Sequence, residues 1–454
     1  MKTTPWYIAA LLFIVLGFGR VFSAPVFPLK ISEDRRCLTD QKNIPFLING
    51  DSPWSLLVRL TKSQAQQYLE DRRQKGFNAV IVNLIEHKFS NPAPKNIYGV
   101  EPFLDPGDYS KPNEAYFLHA DSVIKMAAER GILVVLAPSY LGYQCKDEGW
   151  CQEMMANGGE KLRAYGRYVG NRYKNQANII WLEACDADAA EYSVSDLVDA
   201  VVYGIKDADT VKPKLHTAHC TRGASALDCY DQPWLDLNST YAGCEHALSQ
   251  CRKDYERWME RKMPFIFLEG AYENEKADAV CVRSQAYGSI LSGAAGHFFG
   301  NCPIWHFGSN PTWCNSANWQ INLNSVGSRN MGPVAALFNS REWTKLAPDL
   351  EGSVVVSGDS GMAVARTSDS STVIAYMPSD RKVTVNMEKM AGENTKAWWF
   401  NPVTGTADPI GTFPNAKTQA FAPTGKGDWV LVLDNAAVPF PAPGKRPYSP
   451  GKKK

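Results

Sequence analysis

The 454-residue chain has no surplus of charge of either sign: 48 Lys and Arg stand against 47 Asp and Glu. That balance excludes nucleic acid as the main partner, which calls for a strongly basic face. No glycine-rich phosphate fingerprint follows any strand-like run, which removes the usual nucleotide-binding folds. No GxSxG elbow is present for a serine hydrolase. Histidines number only 7 and are scattered, and no CxxC pair occurs. A zinc site is therefore disfavoured, and neither metal nor other cofactor is expected.

Cysteine and tryptophan, by contrast, are plentiful, at 11 and 13 residues. So many cysteines suit a secreted protein better than a reducing cytosol. The N-terminus agrees. Lys2 precedes an apolar run from Ile8 to Phe18, and Val21-Phe22-Ser23 follows. That core is too short for a comfortable span of ~20 residues, so 1–23 reads as a cleaved signal peptide and the mature protein as extracellular, with no membrane partner. Local disulfides are expected at Cys145/Cys151, Cys220/Cys229, Cys244/Cys251 and Cys302/Cys314, leaving Cys37, Cys185 and Cys281. Asn238-Ser239-Thr240 is a glycosylation sequon.

From about residue 40 to 300, strand-like and helix-like segments alternate. Thr61-Lys62-Ser63-Gln64 is a capping-box helix start. Phe77 to Asn83 is a continuous apolar run of the kind buried on both faces in parallel sheets. Further runs at 45–49, 132–137, 178–182, 215–219, 234–238, 264–268 and 296–299 bring the strands to eight. The pattern predicts a (β/α)₈ TIM barrel over 24–349. After Asp349 short runs recur at hairpin spacing without helical pattern, predicting a small antiparallel β-sandwich over 350–435. Residues 436–454 are rich in Pro, Gly and Lys and read as a disordered basic tail able to hold acidic wall polymers.

Functional residues of such barrels sit at the C-terminal ends of the strands. That rule selects Asp51 and Trp54, Asn83 with Glu86 and His87, Glu183 and Asp186, His219, Asp236 and Asn238, Glu269 with Tyr272 and Glu273, and His297 with Asn301 and Trp305. Carboxylates after the fourth and seventh strands can face each other across the barrel mouth. Two opposed carboxylates among aromatic rings suit glycoside hydrolysis: one protonates the leaving oxygen, and the other attacks the sugar or activates water. Asp51, Trp54, Asn83, His219, Tyr272 and Trp305 are then the expected substrate-binding residues. An oligosaccharide or polysaccharide is the expected partner. Asn238 presents a conflict, since a glycan at the mouth of the sixth strand would obstruct the site.

The ordered motifs resemble the apiosidase-like glycoside hydrolases. They comprise Gly50-Asp51 with Trp54, Asn178-Ile179-Ile180-Trp181 leading to Asp186, Trp234-Leu235-Asp236, Pro264 to Glu269 with Tyr272-Glu273, and Gly293 to His297. Trp343 before Leu346-Ala347-Pro348-Asp349, then Trp399-Phe400-Asn401-Pro402 with Thr404-Gly405, resemble the passage into a collagen-binding-like domain. The resemblance implies a retaining hydrolase of cell-wall polysaccharide, with Asp186 as acid/base and Glu269 as nucleophile. It departs at Ala184-Cys185, where the family has two glycines, and at Glu183, which competes with Asp186 as the acid. An inactivated barrel that only binds carbohydrate is the alternative reading.

Overall fold

The computed structural model describes residues 24–309, 314, 317–357 and 361–445. The expected signal peptide lies outside them, as does the tail from residue 446. A two-stranded ribbon, Lys30–Ile31 with Leu38–Thr39, precedes the barrel. The barrel strands are β1 (Ile48–Asp51), β2 (Ala79–Asn83), β3 (Leu133–Ala137), β4 (Ile179–Ala184), β5 (His216–His219), β6 (Asn238–Tyr241), β7 (Phe265–Glu269) and β8 (Gly296–Phe299). They form one eight-stranded sheet whose recorded pairs are parallel, and a helix follows each strand. Between β5 and β6 the ring closes through a few bonds rather than a full ladder. Asp236 N donates to His216 O at 3.0 Å, and Thr217 Oγ1 donates to Leu237 O at 2.7 Å.

Side-chain alternation builds the layers. Val80, Val82, Val134, Leu136, Ile179 and Trp181 face the helices, where they join Leu69, Val123 and Tyr165. Ile81, Val135, Ile180, Leu182, Ile266 and Leu268 share a second cluster that fills the barrel. The expected capping box is present: Thr61 Oγ1 accepts from Gln64 N at 3.3 Å, and Thr61 N donates to Gln64 Oε1 at 3.0 Å. It starts the helix Lys62–Gln74.

Two strands differ from the sequence reading. The first runs to Asp51, so Asp51 is in the strand rather than after it. The sixth begins at Asn238, where the apolar run was expected to end. Trp234 and Leu235 are apolar because they join the helix-layer core as part of a connection. Asn238 thus opens its strand instead of closing it. It is buried and accepts from Leu227 N at 3.1 Å, which removes it from the barrel mouth.

The C-terminal domain has a six-stranded sheet in the order β9 (Leu346–Pro348), β11 (Ala363–Thr367), β12 (Thr372–Met377), β17 (Trp429–Asn435), β14 (Asn394–Phe400), β15 (Ala407–Pro414), and a three-stranded sheet of β10 (Val355–Ser357), β13 (Val383–Asn386) and β16 (Thr418–Phe421). The recorded pairs are antiparallel. Because β9 pairs with β11, this domain begins at Leu346, a few residues before the expected boundary. Arg283 and Arg341 join it to the barrel through buried bidentate bonds to Asp428 (2.7 and 2.8 Å) and Asp434 (2.8 and 2.6 Å). The ordered chain continues past the expected start of the tail. Ala436 N bonds Asn394 O at 2.9 Å, Gly444 N bonds Ser340 Oγ at 3.0 Å, and the Arg341 guanidinium lies over the Phe440 ring. Backbone pairing and that ring contact hold 436–445 in place despite their proline content.

Three of the four expected disulfides are present: Cys145–Cys151, Cys220–Cys229 and Cys302–Cys314. The fourth is Cys244–Cys281 rather than Cys244–Cys251. Cys251 lies inside the helix Ala247–Arg261 and is buried against Phe265 and Phe267, so its thiol points into the core. Cys281 stands in the first turn of the helix Ala279–Leu291. Cys37, Cys185 and Cys251 are free and buried.

Candidate active site

A cleft of about 470 Å³ opens at the C-terminal ends of the strands. Asp186 and Glu269 both line it, with the rings of Trp54, Tyr140, Tyr272 and Trp305. Glu269 is the last residue of β7. Asp186 gets there by a sharp reversal after β4. Ala184, Cys185 and Asp186 have φ of 65°, 78° and 57°, three successive residues in the left-handed region. Each costs on the order of 1–3 kcal/mol, which the surroundings must hold. Leu141 N grips Ala184 O at 2.8 Å, and Asp186 N donates to His219 Nδ1 at 3.2 Å.

His219, the last residue of β5, meets the Asp186 backbone on one side and the Glu269 carboxylate on the other. Nδ1 accepts from Asp186, so the proton of the neutral ring sits on Nε2, 3.0 Å from Glu269 Oε2. Burial opposes a charge on this ring, but Glu269 and Asp186 outweigh it and raise its pKa. Asp186 is itself pushed up to about 7, by burial first and then by Glu269 and Glu148, against the pull of His219 and of the Tyr140 hydroxyl. A carboxyl poised there serves as a general acid near neutrality. Its Oδ1 has no partner among the described residues.

The aromatic wall is tied together. Trp54 Nε1 donates to Tyr272 Oη at 2.7 Å, and the Trp54 ring meets Tyr140, Phe89 and His219 at 5.8–6.4 Å between centroids. Phe89 touches Trp305 at 5.1 Å. Trp54, His219, Tyr272 and Trp305 are therefore brought together in the cleft.

Asp51 and Asn83 do not join them. Asp51 is fully buried, accepts from Tyr68 Oη at 2.5 Å and pairs with Arg72 Nε at 3.2 Å, so it anchors the helix Lys62–Gln74 to the barrel. Asn83 is buried too, and its backbone N–H supports Trp54 O at 2.8 Å. Glu273 accepts from Gly327 N at 2.7 Å and Asn301 Nδ2 at 3.0 Å, at the start of the helix Val326–Asn339. His297 is buried against Asn49 Oδ1 at 2.9 Å and held neutral by burial, with a pKa near 3.

Glu183 is also outside the cleft. It shares the alternation of Trp181, but that side of β4 faces the helices and not the barrel interior. There it meets His216 Nδ1 at 2.9 Å, fully buried.

Sequence reasoning missed Tyr140, Tyr143, Glu148, Arg222, Tyr241 and Glu275, all of which line the cleft. The strand-end rule reaches Tyr140, three residues after β3, once it is applied to that strand. Glu148 gives no such signal, because a folded loop delivers it.

A strand-end cleft with paired carboxylates and aromatic walls on a (β/α)₈ barrel defines the chain as a glycoside hydrolase. It belongs to the apiosidase-like family: the family's "Apiosidase-like, catalytic domain" matches residues 32–345, and a "Putative collagen-binding domain of a collagenase" matches 349–434. No curated protein matches the chain. Among solved structures, one described as a glycoside hydrolase is 23% identical with a TM-score of 0.79, covering 90% of this chain and 97% of its own. A glycoside hydrolase family 5 protein from Bacteroides vulgatus ATCC 8482 is also 23% identical, with a TM-score of 0.77 and coverage of 90% and 94%. These two likenesses concern the fold.

Proposed function

We propose that the protein is a secreted, retaining hydrolase of cell-wall polysaccharide, with Asp186 as acid/base and Glu269 as nucleophile. The observation that carries this reading is the arrangement around His219: the backbone N–H of Asp186, an acid raised to about 7, lies 3.2 Å from one ring nitrogen and the Glu269 carboxylate 3.0 Å from the other, with both acids lining one cleft. Asp186 protonates the glycosidic oxygen while a Glu269 oxygen attacks the anomeric carbon and the leaving alcohol departs. The Asp186 carboxylate then takes a proton from water as that water displaces Glu269 and frees the sugar. Trp54, Tyr272 and Trp305 offer ring faces to the sugar and exclude water from it. Four disulfides and the apolar 8–18 run support secretion. The same reading extends to acidic wall polymers held by Lys452–Lys454, which lie outside the described residues.

The test is a polysaccharide panel digested by the parent, Asp186→Asn and Glu269→Gln, with the first-formed anomer read by proton NMR. Both variants are expected to lose about 10²–10⁴-fold in kcat. Azide should rescue Asp186→Asn, and the product should keep the substrate's anomeric configuration. Full activity in both variants, or an inverted product, would sink the mechanism.

A further inference from the structure

Glu148 is a third carboxylate in the cleft, and it is built in with some care. It sits on a loop, residues 142–149, that is closed in three ways. The Cys145–Cys151 disulfide crosses it. Gly142 and Gly149 touch back to back: a Cβ on Gly149 would lie 2.2 Å from Leu141 O, and one on Gly142, at φ 97°, would lie 2.7 Å from Gly149 N. Trp150 N bonds Tyr140 O at 2.8 Å, and Lys88 N bonds Glu148 O at 3.1 Å.

The loop aims the Glu148 carboxylate inward. Oε1 accepts from Tyr143 N at 2.7 Å and from Tyr140 Oη at 3.0 Å. The same Tyr140 oxygen is 3.4 Å from Asp186 Oδ2. A phenol has one proton to give. Given to Glu148, the nearer acceptor, it is turned away from Asp186, whose carboxylate then goes without it.

We infer that Glu148 is a positioning residue of the active site, wired through Tyr140 to Asp186, and that the disulfide-closed loop thereby tunes how firmly the acid holds its proton. This rests on the assignment of Asp186 as acid/base. Around Asp186 the other titratable groups are His219 from β5, Tyr241 from β6, Glu269 from β7 and the buried Cys185 thiol of its own turn. Of these only His219 brings positive charge, so Glu148 adds to a negative surround. Lys88, whose N–H anchors the loop, is engaged with Asp147 at 2.9 Å, Lys146 of the loop lies over the Tyr143 ring, and Arg222 and Lys276 also line the cleft.

The experiment is the pH profile of kcat/KM for Glu148→Gln and Tyr140→Phe on the panel polysaccharide that the parent cleaves fastest. Gln keeps the acceptor oxygen for Tyr143 N and Tyr140 and removes only the charge. The basic limb of the profile, where Asp186 gives up its proton, should move to lower pH by roughly one unit in Glu148→Gln. Tyr140→Phe should not move it to lower pH, because the Glu148 charge stays and the hydroxyl whose pull lowers Asp186 is gone. A basic limb of Glu148→Gln that superimposes on the parent's, or a loss uniform in pH, overturns the inference. Asp186→Asn assayed alongside separates the two levels. If it is crippled and azide-rescued while Glu148→Gln is unshifted, only the role of Glu148 falls. If Asp186→Asn is fully active, the acid assignment falls with it.

Discussion

Two carboxylate–histidine pairs lie three residues apart along the same two strands, and they do different work. Glu183 with His216 sits on the outer side of β4 and β5, sealed under the helices. Asp186 with His219 sits where those strands open into the cleft. The outer pair shares one hydrogen bond, and the Lys206 and Asp199 charges act on Glu183 less than burial does. Burial raises Glu183 to about 8 and lowers His216 well below its usual value, so both are neutral at pH 7. The inner pair has Glu269 as a third member, which raises His219 instead. The comparison teaches that residue type and spacing do not decide which acid reaches the cleft. Three left-handed residues carry Asp186 around into the mouth, while regular strand geometry leaves Glu183 against the helices.

The largest effect that would break this contrast is on activity. His219→Ala should lower kcat by about 10²-fold, since Asp186 N and Glu269 both lose their partner. His216→Ala should leave kcat per folded molecule within severalfold and instead cost about 1–3 kcal/mol of stability, by stranding the buried Glu183 carboxyl. Steady-state kinetics with denaturant titration reads both. Equal losses of kcat in the two variants would erase the distinction.

Next comes pH. The folded pKa of Glu183 lies above its unfolded value, so its stabilising protonation is complete below about 4.5 and is lost as pH rises toward 8. Glu183→Gln needs no such proton. Its Tm should gain on the parent's steadily between pH 5 and 8, the difference reaching a few kcal/mol in stability. A gap that stays constant with pH would show that Glu183 is not held protonated.

The smallest effect concerns the turn. Ala184→Gly should relieve one left-handed residue and stabilise the protein by about 1 kcal/mol, net of glycine's greater freedom when unfolded. Thermal unfolding measures this, and a lowered Tm would mean that the turn carries no strain at this position.

Much of this arrangement was legible beforehand. Continuous apolar runs such as Phe77 to Asn83 mark strands buried on both faces, and the strand-end rule then reaches Asp186, His219, Glu269, Tyr272 and Trp305. Asp51 was misplaced because a strand-end carboxylate that pairs with Arg72 and Tyr68 looks the same in sequence as one that faces a ligand. The edge strand β15 leaves little trace in the sequence because it contains Pro409 and Gly411, is largely exposed and lacks the alternation of the inner strands. Cys251 was paired with Cys244 on proximity alone, whereas a helix turns its side chain inward and brings Cys281 to Cys244.

By itself, then, the sequence determined what local physics controls: the alternation that makes a barrel, the short β runs that make a second domain, and the carboxylates and rings that stand at strand ends. Which carboxylate faces the sugar site was decided only in three dimensions. Glu183, Asp186 and Glu148 are all acids near one strand end, and they differ in the direction that backbone reversal, helix packing and a disulfide-closed loop impose on them. Those directions come from contacts between residues far apart in the chain, and so no local pattern records them.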